Sequence, residues 1–443
     1  MIRCTGCVAK PIDGGADRSR RRGHLLGAHA LDRGPVELHS CNIASVEEAA
    51  ERPAARPEAE RRLHSNRPCV YLDEWVWIRF AAARAGRARE PGDVNVLAAV
   101  QHASEAGVAF PLSSTHYVET LKKNNPRDRA EVAGLMAEVS HLRTLRSRKH
   151  LLRFQVLAAM HNLFGRPAFK PDRPEVLGVG VHWAFVGEQH QLTLYGPEQA
   201  LDWTRHLLSL RDLCRLQQWQ EIQFLAGPRD DQVKVLRDRY GYRPETTAEV
   251  ARSRLEWEQI YAGLLLEDPV DAAELRFRVR VRELLHEHLD GLSELLSEYG
   301  LHVSRVLGDP NRSVAHNRRQ LNAFVDSAPS IRLAADLKVE LFRNKSSSWK
   351  VNHLHDIDAM MIAVPYCDVV VPDKEIFSLM DRTKAGERNG TIVIRHLSDL
   401  VDVLADLEGR ARAIGGDHSD WDWFAPDVGF DPQPPESIWP RSA

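Results

Sequence analysis

Between Pro68 and Leu121 the chain alternates short apolar runs with apolar positions at helical spacing. Cys69-Val70-Tyr71-Leu72 is β-branched and aromatic, too short for a helix, and stops abruptly at Asp73, so it predicts a strand. Trp75, Ile78, Phe80 and Ala83 then recur as on one face of a helix. The helical period resumes over 94–106 and ends at Gly107. Val108–Leu112 reads as a second strand, and Ser113-Ser114-Thr115 offers hydroxyls to cap a helix carrying Tyr117, Glu119 and Leu121. A strand-helix-helix-strand-helix run of this kind is consistent with a parallel sheet.

From about 130 to 343 the pattern is mainly helical, with candidates at 130–143, 149–163, 197–225, 248–266, 271–299 and 331–342. Gly165-Arg166-Pro167 and Gly308-Asp309-Pro310 punctuate them. Strand texture returns only at Val369–Val371 and Thr391–Ile394, each followed by a helical stretch, at 374–380 and 398–408. Neither pair of strands makes a sheet alone. The expected fold is therefore α/β, a parallel-sheet domain in two parts (67–129 and 344–412) interrupted by a large mainly α-helical insertion (130–343). Residues 1–66 are rich in Arg, Gly, Ala and Pro with weak periodicity and read as mostly disordered, apart from a short helix at 45–51. The stretch 413–443 reads as an irregular tail whose Trp421 and Trp423 dock onto the body.

Composition narrows the class only a little. The 443 residues are 27% charged and 43% hydrophobic with a net charge of −3, which is ordinary globular composition and excludes a global polycation. Six irregularly spaced cysteines do not form a disulfide framework, and together with the lack of an apolar leader or spanning segment they predict a cytoplasmic protein.

Asp73 and Asp373 each end a strand-like run, and in an open α/β sheet ligands bind outside the carboxyl ends of the strands. Carboxylates converging there suit a hard divalent cation, Mg²⁺ or Mn²⁺, which activates water for attack on a phosphodiester. The order of the acidic segments resembles a PIN-like domain. Val70-Tyr71-Leu72-Asp73 running into Trp75-Val76-Trp77-Ile78 is similar to its first strand, metal-binding Asp and helix. Ser113-Ser114-Thr115-His116-Tyr117-Val118-Glu119 resembles its second acidic segment. Asp356-Ile357-Asp358-Ala359 resembles the third, at a helix start, and Asp368-Val369-Val370-Val371-Pro372-Asp373 the fourth. The match spans about 68–125 and 345–408.

That resemblance implies a metal-dependent nuclease, an endoribonuclease acting on RNA. It implies Asp73, Glu119, Asp356 and Asp373 as catalytic metal ligands, with Asp358 able to replace or support Asp356. Trp75 and Pro372 stand where the family commonly has small polar residues. These departures leave open a second reading, a catalytically weak nucleic-acid-binding or protein-interaction module. The helical block would then hold a protein partner.

Nine basic residues between 121 and 153 face only Asp128, Glu131 and Glu138. Lys122 and Lys123 of that cluster, with Lys345 and Lys350 before the third acidic segment, are candidate nucleic-acid contacts; a solvated helix face explains such a cluster equally well. Trp349 is available to stack on a base or to pack. Asp368, at the other end of its strand from Asp373, reads as a cap or ion-pair residue. The CxxC at Cys4 and Cys7, His286-Glu287-His288 and Gly178-Val179-Gly180 are weak signals for zinc, metal and dinucleotide respectively.

Overall fold

The computed structural model describes residues 63–189, 210–344 and 348–414. The expected helix at 45–51, the cysteines Cys4, Cys7 and Cys41, Lys345, and the tail with Trp421 and Trp423 lie outside the described residues, as does nearly all of the segment expected to be disordered.

β1 (Val70–Leu72) is buried throughout, and α1 (Glu74–Arg84) begins one residue later, with Asp73 in extended conformation as its N-cap. α2 (Asp93–Glu105) returns the chain to Val108–Leu112, which is extended but forms only isolated parallel bridges, through Ala109 to Cys69 and through Leu112 to Thr144. α3 (Ser114–Thr120) and α4 (Pro126–Ser140) follow, the latter opened by Pro126 at its first position and by the Asn125 side chain accepting from the Arg127 N–H. Next come β2 (Arg143–Leu145), α5 (Arg148–Phe164), β3 (Leu177–Val179) and α6 (Gly180–Phe185).

From Leu210 the chain is helical: α7 (Leu210–Ala226), α8 (Asp230–Tyr240), α9 (Pro244–Glu267) and α10 (Ala272–Arg282). A π-helical turn at Glu283–Glu287 leads into α11 (Leu289–Glu298), then α12 (Ser304–Leu307), α13 (Val314–Asp326), α14 (Pro329–Arg343) and α15 (Val351–Tyr366). β4 (Val369–Val371), α16 (Lys374–Thr383), α17 (Ala385–Asn389), β5 (Ile392–Val393) and α18 (Leu400–Ala413) complete the described fold.

β4 lies between β1 and β5, all three parallel, with Leu72 opposite Val371. The bridges of Ala109 and Leu112 join this sheet to β2, which pairs antiparallel with β3. The chain thus builds outward from β1 toward β2 on one side and from β4 to β5 on the other, so the order reverses between β1 and β4. That is the crevice where ligands of open α/β sheets sit.

The structure is a mixed α/β fold in which helices predominate. Alternate residues of the strands feed two cores. Tyr71 and Val370 pack with helices of the 151–160 and 284–379 regions, while Val70, Leu72, Val369 and Val371 pack with α1, α2, α4 and α18. The expected boundary at 129/130 is therefore corrected: it falls inside α4, whose Val132, Leu135 and Met136 belong to the sheet's own core. β2 and β3 also lie within the stretch expected to be helical. Both are three residues long, and neither carries a period long enough to read. Gly178 is in β3 because any Cβ there would collide with the Trp183 ring, and Gly180 has φ +80°; their spacing serves packing and not a phosphate loop.

The helical layer is tied together by buried charge. Lys338 Nζ on α14 lies 2.8 Å from Glu258 of α9, 2.8 Å from Glu283 and 3.5 Å from Glu287 of the π-helical turn. Arg254 links this group to α15 by pairing with both Glu287 and Asp358. Replacing Lys338 by Met removes the cation that the three buried carboxylates share, leaving Glu258, Glu283 and Glu287 only their outer partners Arg282, His288 and Arg254. It is expected to cost about 3–5 kcal/mol in urea denaturation, against less than about 1 kcal/mol if the pairing is incidental.

Candidate metal site at the carboxyl ends of the strands

The pairing of β1 with β4 sets Asp73 and Asp373 side by side at the same rim, where the nearby backbone N–H groups of Glu74 and Asp373 partly offset the burial of the Asp73 carboxylate. Asp73 makes no side-chain cap bond to its own helix, so its oxygens are not consumed there. Asp373 caps α16 by accepting from the Ile376 N–H at 2.7 Å. Glu119 comes from the last turn of α3 and Asp356 from the second turn of α15, two helices that pack together. The helix begins at Val351, so Asp356 is not at its start as the sequence suggested.

Electrostatics unites the four. Burial, then the charges of Asp73, Asp373 and Glu119, push Asp356 up to about 9. Burial followed by Glu119 and Asp373 raises Asp73 to about 7, and burial raises Glu119 against the pull of Lys122 and Lys123. Among the described residues no three Asp, Glu, His or Cys side chains are gathered closely enough to hold an ion as they stand. The donor chemistry nonetheless fits a hard dication: oxygen ligands only, mutually repelling and short of positive charge. Glu74 adds an orphaned atom, since its Oε2 is buried without a hydrogen-bond partner.

Asp358 is elsewhere. Two residues beyond Asp356 it points away from the rim, bound by Arg148 and by Arg254 at 2.7 and 3.0 Å. These arginines hold its carboxyl below the usual range in spite of burial. Its assignment as a metal ligand is corrected to that of a buried ion-pair residue. Asp368 accepts from the Cys69 N–H at 2.9 Å and pairs with Arg410 at 2.8 Å, at the far end of β4.

The basic cluster is mostly committed. Lys122 Nζ is 3.8 Å from Glu119 and Lys123 Nζ is 3.7 Å from Glu74, so both serve as counter-ions of the acidic rim. Arg129 donates to the backbone carbonyls of Lys123, Ala226 and Pro228, and Arg127 and Arg153 pair with Glu131 and Glu298. Lys350 is exposed at the N-cap of α15. Trp349 is buried against Phe342 and His353, a packing residue. Trp75 is half-buried with Arg79 5.7 Å over its ring, and Pro372 is buried. His286 stacks on Trp257 while His288 pairs with Glu283, so the two share no site.

Sequence reasoning missed Glu74 and His116. Glu74 opens α1 with its Oε1 accepting from the Thr120 hydroxyl at 3.3 Å. Burial raises it to about 8, Lys123 opposing and Glu119 and Asp73 reinforcing. Its one legible signal was adjacency to Asp73. His116 is locked as a neutral ring: Nδ1 accepts from the Ser113 N–H at 2.9 Å, so Nε2 carries the proton it donates to the Leu72 carbonyl at 2.9 Å. Burial lowers it to about 4. Trp77 Nε1 donates to the same carbonyl at 3.0 Å, so two rings fix the peptide that carries Asp73.

Compared with protein-family models, curated proteins and solved structures, the chain has no match.

The raised carboxyls set a sign for stability. Unfolded carboxyls titrate at about 4; above that pH the native state holds protons on Asp73 and Asp356 that the unfolded chain has lost. Their contribution is complete below about 4 and is lost as pH rises, through about 7 for Asp73 and about 9 for Asp356. Asp356→Asn is therefore expected to stabilise the protein in chelator-containing buffer. The gain should be larger at pH 8 than at pH 5, by on the order of 2 kcal/mol. Equal effects at the two pH values in chemical denaturation would mean that Asp356 is not repelled at this rim.

Proposed function

We propose that the chain is a PIN-like, metal-dependent nuclease, an endoribonuclease that hydrolyses RNA phosphodiester bonds with Mg²⁺ or Mn²⁺. The observation that carries this reading is the electrostatic convergence of Asp73, Glu119, Asp356 and Asp373 at the rim where the strand order reverses. A bound dication would polarise a phosphoryl oxygen and supply hydroxide near neutral pH. Asp73 and Asp356 are the principal ligands in this reading. Asp373 offers its second oxygen while the first caps α16, and Glu119 orients water once its pairing with Lys122 loosens. RNA comes from the family resemblance, and no residue is assigned to a 2′-hydroxyl.

A second reading, a protein-interaction module, is favoured by one feature of the helical layer. Val250, Trp257, Ile260 and Leu264 lie on one side of α9 and are each more than half exposed. Spacings of seven, three and four residues make that side a continuous apolar stripe.

Incubation with single-stranded and structured RNA in Mg²⁺ or Mn²⁺ separates the two. The nuclease reading expects cleavage that Asp73→Asn and Asp356→Asn each reduce by more than about 100-fold, since even the outer partners of a metal ligand are worth about 10–100-fold. Cleavage that survives both substitutions refutes the site; RNA binding without cleavage favours a catalytically weak nucleic-acid-binding module, and neither binding nor cleavage favours the protein-interaction module.

A further inference from the structure

Arginine is in excess where α10, α13, α14 and α17 come together. α17 leads into the amino end of β5, so this place lies across the sheet from the acidic rim at the carboxyl ends. Arg280 of α10 is only 7% exposed. Its terminal nitrogens donate to Asn322 at 3.0 Å and to Asp326 at 2.8 Å, while its buried Nε has no hydrogen-bond partner. Arg388 of α17 donates to Asp336 at 2.8 Å, and Arg280 stands 3.9 Å from the other oxygen of that carboxylate. Arg332 is half-buried on α14 and donates to the Asp326 backbone carbonyl and the Asn389 side chain, both at 3.5 Å. Bonds of that length are at the outer limit, and neither acceptor is a carboxylate.

The charges do not balance. Arg280, Arg388, Arg276 and Arg332 all pull Asp336 down, yet burial still raises it. Burial holds Arg332 below the usual arginine range, with Asp326 and Asp336 opposing and Arg388 and Arg280 reinforcing. Four guanidiniums therefore face two carboxylates. Glu340, one turn along α14 from Asp336, takes none of the excess, because Arg343 and Arg382 already hold it at 2.8 and 2.9 Å. The excess is also open to solvent, since Arg276 is exposed and the Arg388 side chain is 48% exposed. A guanidinium fork meets phosphate oxygens two at a time. A phosphate monoester carries a charge of about −2 near neutral pH, which matches the excess, whereas each backbone phosphate of a nucleic acid carries a single charge.

We propose that Arg276, Arg332 and Arg388, braced by the buried Arg280, form a binding site for a phosphate dianion, either inorganic phosphate or the terminal phosphate of a monoester. The site is independent of the acidic rim and of any divalent cation.

The test is calorimetry on the full chain in chelator, with inorganic phosphate, a nucleoside 5′-monophosphate and a 5′-hydroxyl oligonucleotide as separate probes. Melting curves with and without phosphate are run beside it. Wild type is expected to bind one inorganic phosphate or one monophosphate and to melt higher in its presence. Arg332→Gln is expected to weaken both at least about tenfold, the worth of a charge-assisted hydrogen bond, and to melt no lower than wild type without phosphate. Should Arg332→Gln not fold, Arg276→Gln changes an exposed side chain and is expected to weaken binding about threefold through lost charge alone. Arg412→Gln, on α18, is the control for a general loss of charge and is expected to bind as wild type does. No phosphate binding by wild type overturns the proposal, as does equal weakening in Arg412→Gln. A lower melting temperature of Arg332→Gln with binding unchanged also overturns it, marking a structural arginine. An oligonucleotide that binds as tightly as the monophosphate, and loses affinity in Arg332→Gln, overturns the assignment to a dianion.

Discussion

The parallel pairing of Val70–Leu72 with Val369–Val371 is the constraint on which everything else depends. It joins segments about three hundred residues apart, with both faces of both strands buried, so register is fixed by two cores at once. A slip of one residue would turn Tyr71 and Val370 into the wrong core and carry Asp73 away from Asp373. Because helices start directly after both strands, the two aspartates cannot drift along the rim. The donated hydrogen bonds of His116 and Trp77 to the Leu72 carbonyl reinforce the same point of the backbone.

The second constraint is electrostatic and passes through α15. Asp356 and Asp358 are two positions apart on one helix and face opposite conditions. Asp356 meets other carboxylates and is pushed up to about 9, while Asp358 is clasped by Arg148 and Arg254. The favourable side of the helix holds the unfavourable side in place. Arg254 in turn belongs to the Lys338 network, so the helical layer reaches the acidic rim through one chain of buried ion pairs. The helices expected to form a separable insertion are better described as the counterweight of the rim.

Much of this was legible in the sequence, for definable reasons. Strands rich in valine that end at Asp, and a helical period closed by Gly107, are local signals, and β1, β4, α2 and α5 fall within a residue or two of expectation. The order of four acidic positions was readable too, because each is tied to a local element. What escaped depended on contacts distant in sequence. β2 and β3 are each three residues long and exist because Leu112 and Trp183 meet them. The nine basic residues after Leu121 read as a patch because spacing does not say which arginines are spent on carbonyls or carboxylates. Asp358 and Asp356 could not be told apart because the arginines that decide between them are 104 and 210 positions away.

The raised carboxyls argue that the rim is not there for stability. At neutral pH, Asp73, Glu74 and Asp356 together resist ionisation, and Lys122 and Lys123 offer only partial relief at 3.8 and 3.7 Å. The cheaper arrangement for the fold would be an amide or an apolar residue at any of the three. Other buried charges are paired: Asp358 has two arginines, Lys338 three glutamates, and Asp368 both Arg410 and a backbone N–H. Among the described residues, the sequence that neutralises those groups leaves Asp73, Glu74 and Asp356 resisting ionisation, next to the peptide that His116 and Trp77 hold. On the proposed reading, a deficit of this kind at the rim, braced on several sides, suits a site that recruits its own cations.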